Sequence, residues 1–153
     1  MSADCRLTLT VREARDAAEI EAAKRLRVEV FCGEQGVGRD EELDGLDESS
    51  THVVALDEKG VQATCRLRLG GGECKLERTA VARRLRGLGA GARLLGAAEG
   101  IARERGAGRM VLHAQTRAQG FYASGGYEPV GGLFKEAGIE HVRMTKPLGG
   151  AAV

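Results

Sequence analysis

Leu76-Glu77-Arg78-Thr79-Ala80-Val81, then Arg84-Leu85-Arg86-Gly87-Leu88-Gly89-Ala90-Gly91, then a helix carrying Leu94, Leu95, Ala98, Ile101 and Ala102, is the stretch that decides the fold. A short apolar strand meets an arginine-rich turn, alternating glycines and a helix. A turn without side chains bares several backbone N–H groups at the positive end of a helix, where they can hold a phosphate or pyrophosphate. Arg84 and Arg86 add charge. With 23 glycines in 153 residues, three at alternating positions decide little alone, so the context must. The apolar residues after Gly91 fall on one arc at helical spacing, with Arg93, Glu99, Arg103 and Glu104 on the other, and Arg105-Gly106 ends the helix.

Two other phosphate loops fit poorly. A nucleotide P-loop needs Gly-Lys-Ser/Thr where this chain has Ala92 and Arg93. A dinucleotide fingerprint needs the strand to run straight into the glycines and an acid about 20 residues on. Here the five residues Ala82 to Arg86 intervene, and no Asp or Glu lies between Glu104 and Glu128.

Working outward, alternation predicts a first strand over Arg6 to Val11, and Asp16 with Glu19 forms a capping box for a helix carrying Ile20, Ala23, Val30 and Phe31 on one arc. Arg27 shares that arc, either lying over the core with its guanidinium reaching water or forming an interior ion pair. Gly33 and Gly36 break the helix around Glu34 and Gln35. Arg39 to Glu48 holds six acids in ten residues, a pattern that reads as a solvated loop or as a negative lip for a cationic amine. His52 to Leu56, Gln62 to Leu69 and Glu73 to Val81 form a three-strand meander, with turns at Asp57 to Gly60 and Gly70 to Gly72. Beyond the central helix come a strand over Arg109 to Ala114, a short helix over Arg117 to Ser124, and strands over Tyr127 to Gly131 and Val142 to Lys146, separated by a loop around Lys135 to Gly138. Hairpins combined with one crossover imply a mixed α+β sheet.

Length and composition suit one globular domain over residues 1–153. A net charge of +1 argues against nucleic-acid or membrane affinity, and the absence of Trp, with few other aromatics, argues against base stacking. Cys5, Cys32, Cys65 and Cys74 show no metal-ligand spacing and read as reduced thiols, and His52, His113 and His141 are scattered, so no metal is expected. No apolar run of signal or membrane-span length is present, which reads as cytoplasmic.

Leu76 to Val81, Arg84-x-x-Gly87-x-Gly89 and the Leu94-Leu95 helix resemble the acetyl-CoA-binding motif of the GNAT N-acetyltransferase superfamily. Met110 to Gln115 followed by Phe121-Tyr122-Ala123-Ser124-Gly125-Gly126-Tyr127 resembles its second conserved segment. Val30 to Val37 and Ala137 to Met144 resemble the small bacterial ElaA-type branch, although Cys32 stands where an aliphatic residue is usual. The resemblance implies a mixed, mostly antiparallel central sheet flanked by helices, and N-acetyl transfer from acetyl-CoA to a small-molecule or protein amine by direct attack. It also implies edge strands of the kind that often pair into homodimers.

By that resemblance Thr79, Ala80 and Val81 bond the pantetheine arm through main-chain groups, with the Val81 N–H as oxyanion donor. Arg84 and the stretch Arg86, Gly87, Leu88, Gly89, Ala90 and Gly91 take the pyrophosphate, while Glu34 and Gln35 lie on the acceptor side. Tyr122 is the expected general acid, because a phenol of pKa about 10 is protonated at neutral pH and can pass its proton to a departing thiolate. Glu77, His113 and His141 are candidates for the base, His141 also for the acceptor pocket, and Arg78 reads as a brace on its strand. Two other classes remain open from sequence: a non-catalytic acyl-CoA sensor and a nucleotide-binding switch.

Overall fold

The structure, a computed structural model, describes residues 8–149. Among these, seven strands make one sheet: β1 (Thr10–Glu13), β2 (Thr51–Asp57), β3 (Gly60–Gly70), β4 (Glu73–Val81), β5 (Arg109–Gln115), β6 (Glu128–Glu136) and β7 (Ile139–Pro147). They lie in the order β1-β2-β3-β4-β5-β7-β6. Only β4 and β5 are parallel, and they are joined, as parallel neighbours must be, by a long crossover through α3 (Ala90–Glu104). The mixed, mostly antiparallel α+β sheet expected from sequence is therefore present, with α1 (Ala17–Arg27), α2 (Arg39–Glu42) and α4 (Gln119–Ser124) completing the helices.

The alternation of side chains along the strands sorts the core into two faces. On one, Leu94, Leu95, Ala98 and Ala102 of α3 pack on Val53, Cys65, Leu67, Leu76, Met110 and Leu112. Full burial of each leucine is worth about 2 kcal/mol. Glu99 corrects the helical wheel: expected in solvent, it is buried, accepting hydrogen bonds from the Tyr127 hydroxyl at 2.8 Å and Lys146 Nζ at 3.0 Å. Periodicity cannot anticipate partners that lie 28 and 47 residues further along the chain.

On the other face lies α1. Its cap forms as expected at Asp16, which accepts the Glu19 N–H at 2.9 Å, but the Glu19 carboxylate reaches back one residue further, to the Arg15 N–H, and pairs with Arg12. The helix then widens over Val28–Glu34, where the Gln35 N–H donates to Val30 O at 3.1 Å. Leu26 and Val30 cluster there with Ala80 of β4. Arg27 is fully buried and does not reach water; it pairs with Glu42 at 2.8 Å and Asp47 at 2.7 Å. The acidic run is thus only partly a solvated loop: Asp40, Glu41 and Glu48 are exposed, whereas Glu42, Asp44 and Asp47 turn onto arginines.

Element ends also shift. The first strand begins at Thr10 and runs to Glu13, and the Arg6 and Leu7 part of the expected strand lies outside the described residues. The strand expected to end at Gly131 continues as β6 to Glu136, carrying a register shift between Val130 and Phe134, and turns at Ala137 and Gly138, both at positive φ.

Replacing Arg27 by Met removes one of the two guanidiniums that neutralise each of Glu42 and Asp47, so urea denaturation should show a loss of about 3–5 kcal/mol. Lys24→Met, which breaks only an exposed pair, should change stability by less than about 0.5 kcal/mol.

Candidate active site

Parallel pairing between β4 and β5 runs from Glu73–Arg109 to Leu76–Leu112 and stops there, although β4 continues to Val81 and β5 to Gln115. The cause is a bulge. Arg66 of β3 faces Glu77 but Thr64 faces Ala80, so three steps on β4 oppose two on β3, and Arg78 takes the extra position at φ +56°. Beyond the bulge, the Ala82 N–H donates to Gln62 O on β3 at 2.8 Å. Because successive N–H groups alternate in direction along a strand, the Val81 N–H faces the opened gap toward β5. The Val81 carbonyl accepts a hydrogen bond from Arg86 Nε at 2.9 Å.

A single turn over Arg83–Leu85 leads from the gap into the glycines. Gly89, at φ +92°, sits immediately before α3, a backbone that side-chain-bearing residues rarely adopt. The N–H groups of Ala90, Gly91 and Ala92 form the open first turn of α3 and have no acceptor within the helix. Gly91 lets Phe121 pack close, since a Cβ there would meet Phe121 Cζ at 3.2 Å and push the ring back by a few tenths of an ångström. The two arginines of the turn are engaged: Arg84 pairs with Asp57 at 2.5 Å and Arg86 with Glu34 at 2.8 Å.

Tyr122, on α4, is buried on the α3 side of the gap, its ring edge-on to Phe121 and Tyr127. Together with Cys65, Leu76, Thr79 and Leu94 it lines a narrow crevice too tight to admit a water molecule. Burial raises the Tyr122 phenol above its ordinary value of 10 and the neighbouring Thr79 hydroxyl partly offsets this. Thr79 Oγ1 is itself buried and makes no well-formed hydrogen bond.

Across the gap, on the α1 side, Gln115 Nε2 donates to Gln35 Oε1 at 2.8 Å, so Glu34 and Gln35 tie the segment after α1 to the glycine turn and to β5 respectively. His113 follows the last β4–β5 pair, with Nδ1 2.8 Å from Glu136 and its ring edge-on to Phe134. His141, paired across from Gln115, stacks on the same Phe134, and its Nδ1 donates to Ile139 O at 2.6 Å. The neutral His141 ring then carries its lone pair on Nε2. Gln115 and Phe134 were not singled out from sequence; the one available signal was a polar residue at the end of a strand whose centre, Met110 to Leu112, is apolar.

Residues 19–148 match the acetyltransferase (GNAT) domain family. The chain belongs to that family. It is 37% identical over 134 residues to the uncharacterized N-acetyltransferase YjcF of Bacillus subtilis, covering 87% of this chain and 96% of that one. Among solved structures, an acyl-CoA N-acyltransferase from Pseudomonas aeruginosa is similar at TM-score 0.79 and 27% identity, over 92% of this chain and 99% of that one. Escherichia coli ElaA shares the fold at TM-score 0.79 and 23% identity, over 90% and 97%. Members of the GNAT family transfer an acyl group from acyl-CoA.

Glu77 does not suit the base role expected for it. Burial pushes its carboxyl up, but hydrogen bonds from Arg68 at 2.6 Å and Arg66 at 2.7 Å outweigh that and hold it at about 2. A carboxylate so engaged is a poor proton acceptor. Arg66 also pairs with Asp44 and Asp47, so Glu77 belongs to the same ionic web as Arg27. A broader groove of about 800 Å³, whose lining includes Glu21, Lys24, Arg25, Arg39 and Glu48, shares no residue with the Tyr122 crevice. Cys65 and Cys74 are buried free thiols, the latter pushed up to about 11 by burial, and neither is a ready nucleophile. No helix among the described residues is long and apolar enough to cross a membrane.

Because the Glu77 carboxyl is depressed in the folded state, its contribution to stability is full above 4.5, its ordinary value, and is lost as pH falls toward about 2. Carbon-detected NMR titration should place Glu77 near 2, and urea midpoints should fall steadily between about pH 5 and pH 3. A midpoint unchanged over that range contradicts the pairing.

Proposed function

We propose that the protein is an acetyl-CoA-dependent N-acetyltransferase that moves an acetyl group to a primary amine, of a small molecule or a protein, by direct attack. The observation that carries this reading is a juxtaposition. Main chain freed by the β4 bulge, a glycine turn opening α3, and a buried tyrosine hydroxyl beside an unpartnered threonine hydroxyl all border one gap.

The residues at the gap fit coenzyme A. N–H groups of the stretch Arg86 to Gly91 bond the pyrophosphate, and Arg84 and Arg86, turned from their acidic partners, add charge at the rim. Main-chain groups of Thr79, Ala80 and Val81 bond the pantetheine arm as an added strand would. Acetyl-CoA supplies a thioester whose carbonyl carbon the amine attacks. The Val81 N–H, directed into the gap, donates to the carbonyl oxygen as negative charge builds there, a contribution of about 3 kcal/mol. As the carbon–sulfur bond breaks, Tyr122 gives its proton to the sulfur. Burial, by raising the phenol's pKa, keeps that proton in place until the thiolate appears. His113, one residue beyond the last β4–β5 pair, receives the proton lost by the amine. Glu34, Gln35 and His141 wall the acceptor side, Gln35 held by Gln115 and His141 by Phe134.

The test is thiol release from acetyl-CoA across a panel of primary amines. Tyr122→Phe should lower kcat by about a hundredfold or more while CoA affinity by calorimetry stays within about threefold. CoA binding with no turnover on any amine would favour a non-catalytic acyl-CoA sensor instead. Stabilisation by ATP or NAD and not by CoA would favour a nucleotide switch.

A further inference from the structure

The opened gap depends on one non-glycine residue held where side chains are disfavoured. Arg78 sits at φ +56°, in the left-handed region that costs energy for any residue with a Cβ unless contacts made only in that conformation offset it. Such contacts are present. Arg78 Nε lies 2.8 Å from Glu42 Oε2, and its Nη2 donates to Glu41 O at 3.0 Å and to Asp44 Oδ2 at 3.2 Å. Glu41 and Glu42 close α2, so the guanidinium meets the carbonyls at the negative end of that short helix as well as two carboxylates.

The carboxylates are anchored in turn. Glu42, with no exposed side-chain surface, is shared with the buried Arg27 at 2.8 Å, and Asp44 is shared with the buried Arg66 at 2.9 Å. Arg66 continues to Glu77, the residue just before the bulge, at 2.7 Å. The bulge is therefore gripped at its extra residue by the Arg78 side chain and immediately before it by Glu77.

We propose that Arg78, Glu42 and Asp44 form a clamp that sets the β4 bulge and so aims Thr79 and the Val81 N–H into the gap. Arg78 is a positioning residue for acyl transfer, and the inward-turned acids of 42–47 serve the active site by holding it. This rests on the reading that the gap takes coenzyme A.

A residue that merely anchored the loop would leave native-state CoA affinity and turnover alone, whatever it did to stability. The experiment compares Arg78→Ala with Arg78→Gly, both lacking the guanidinium, of which only glycine adopts positive φ freely. Calorimetry with CoA and thiol-release kcat are read on folded protein, with hydrogen exchange of the Thr79 to Val81 amides. Arg78→Ala should lower CoA affinity or kcat about tenfold and speed exchange at those amides, and Arg78→Gly should recover both to within about threefold of the parent. Arg78→Ala failing to fold while Arg78→Gly folds and binds CoA also supports the clamp. Equal values for the two variants, or both failing to fold, overturn it. If the parent protein binds no CoA, the reading of the gap has failed, and the exchange comparison alone then decides for or against the clamp.

Discussion

β4 carries one residue more than β3 can pair, and the rest of the site depends on that mismatch. A parallel neighbour can follow β4 only while its hydrogen-bonding groups stay in step. Once Arg78 takes the extra place, the pairing with β5 stops after Leu76 and Leu112 and main-chain groups on β4 face open space. Backbone donors left without a partner are costly in a protein interior, so this opening is tolerable only where water or a ligand reaches it. The fold thus creates a linear hydrogen-bonding edge in the middle of a sheet, with the glycine turn and α3 at its end.

Holding such an edge open requires stiffness, and here it comes from charge. Arg27, Arg66, Arg68 and Arg78 balance Glu42, Asp44, Asp47 and Glu77 in one web under and beside α1. Taking these groups out of water costs free energy that pairing only partly returns. What the web provides is geometry. Planar guanidinium forks admit few arrangements, so the segment after α2, strand β3 and the bulge are locked to one another. The same electrostatics that make this scaffold rigid disqualify Glu77 as a base, since a carboxylate held at about 2 by two guanidiniums has little affinity for a proton.

On the opposite face, α3 is fixed by ordinary packing and by a buried polar pin, Glu99 with Tyr127 and Lys146, beside the hydrogen bond from Arg93 Nη2 to Leu9 O. The pin matters because α3 carries the open N–H groups of its first turn, and its position sets where they point. Phe121 lies against Gly91 and so brings α4, with Tyr122, up to the same turn. The gap is bordered by two independently braced halves, an ionic one on the α1 side and an apolar one on the α3 side.

The sequence by itself determined the order of elements, the single crossover, the glycine turn entering α3 and the F-Y segment that places Tyr122 on a short helix. These are local: periodicity, turn residues and caps act within a few positions of one another. Which ionisable side chains are free was decided only by the tertiary structure. Arg27, Glu42, Glu77 and Glu99 look alike in sequence whether solvated or buried, because the partner that neutralises each lies on another element. The bulge at Arg78 was equally hidden, since its left-handed backbone sits on a residue with no local preference for it and is stabilised by contacts from residues 41–44. Through-space charge pairing and strand register are properties of the assembled sheet, and no stretch of the chain encodes them alone.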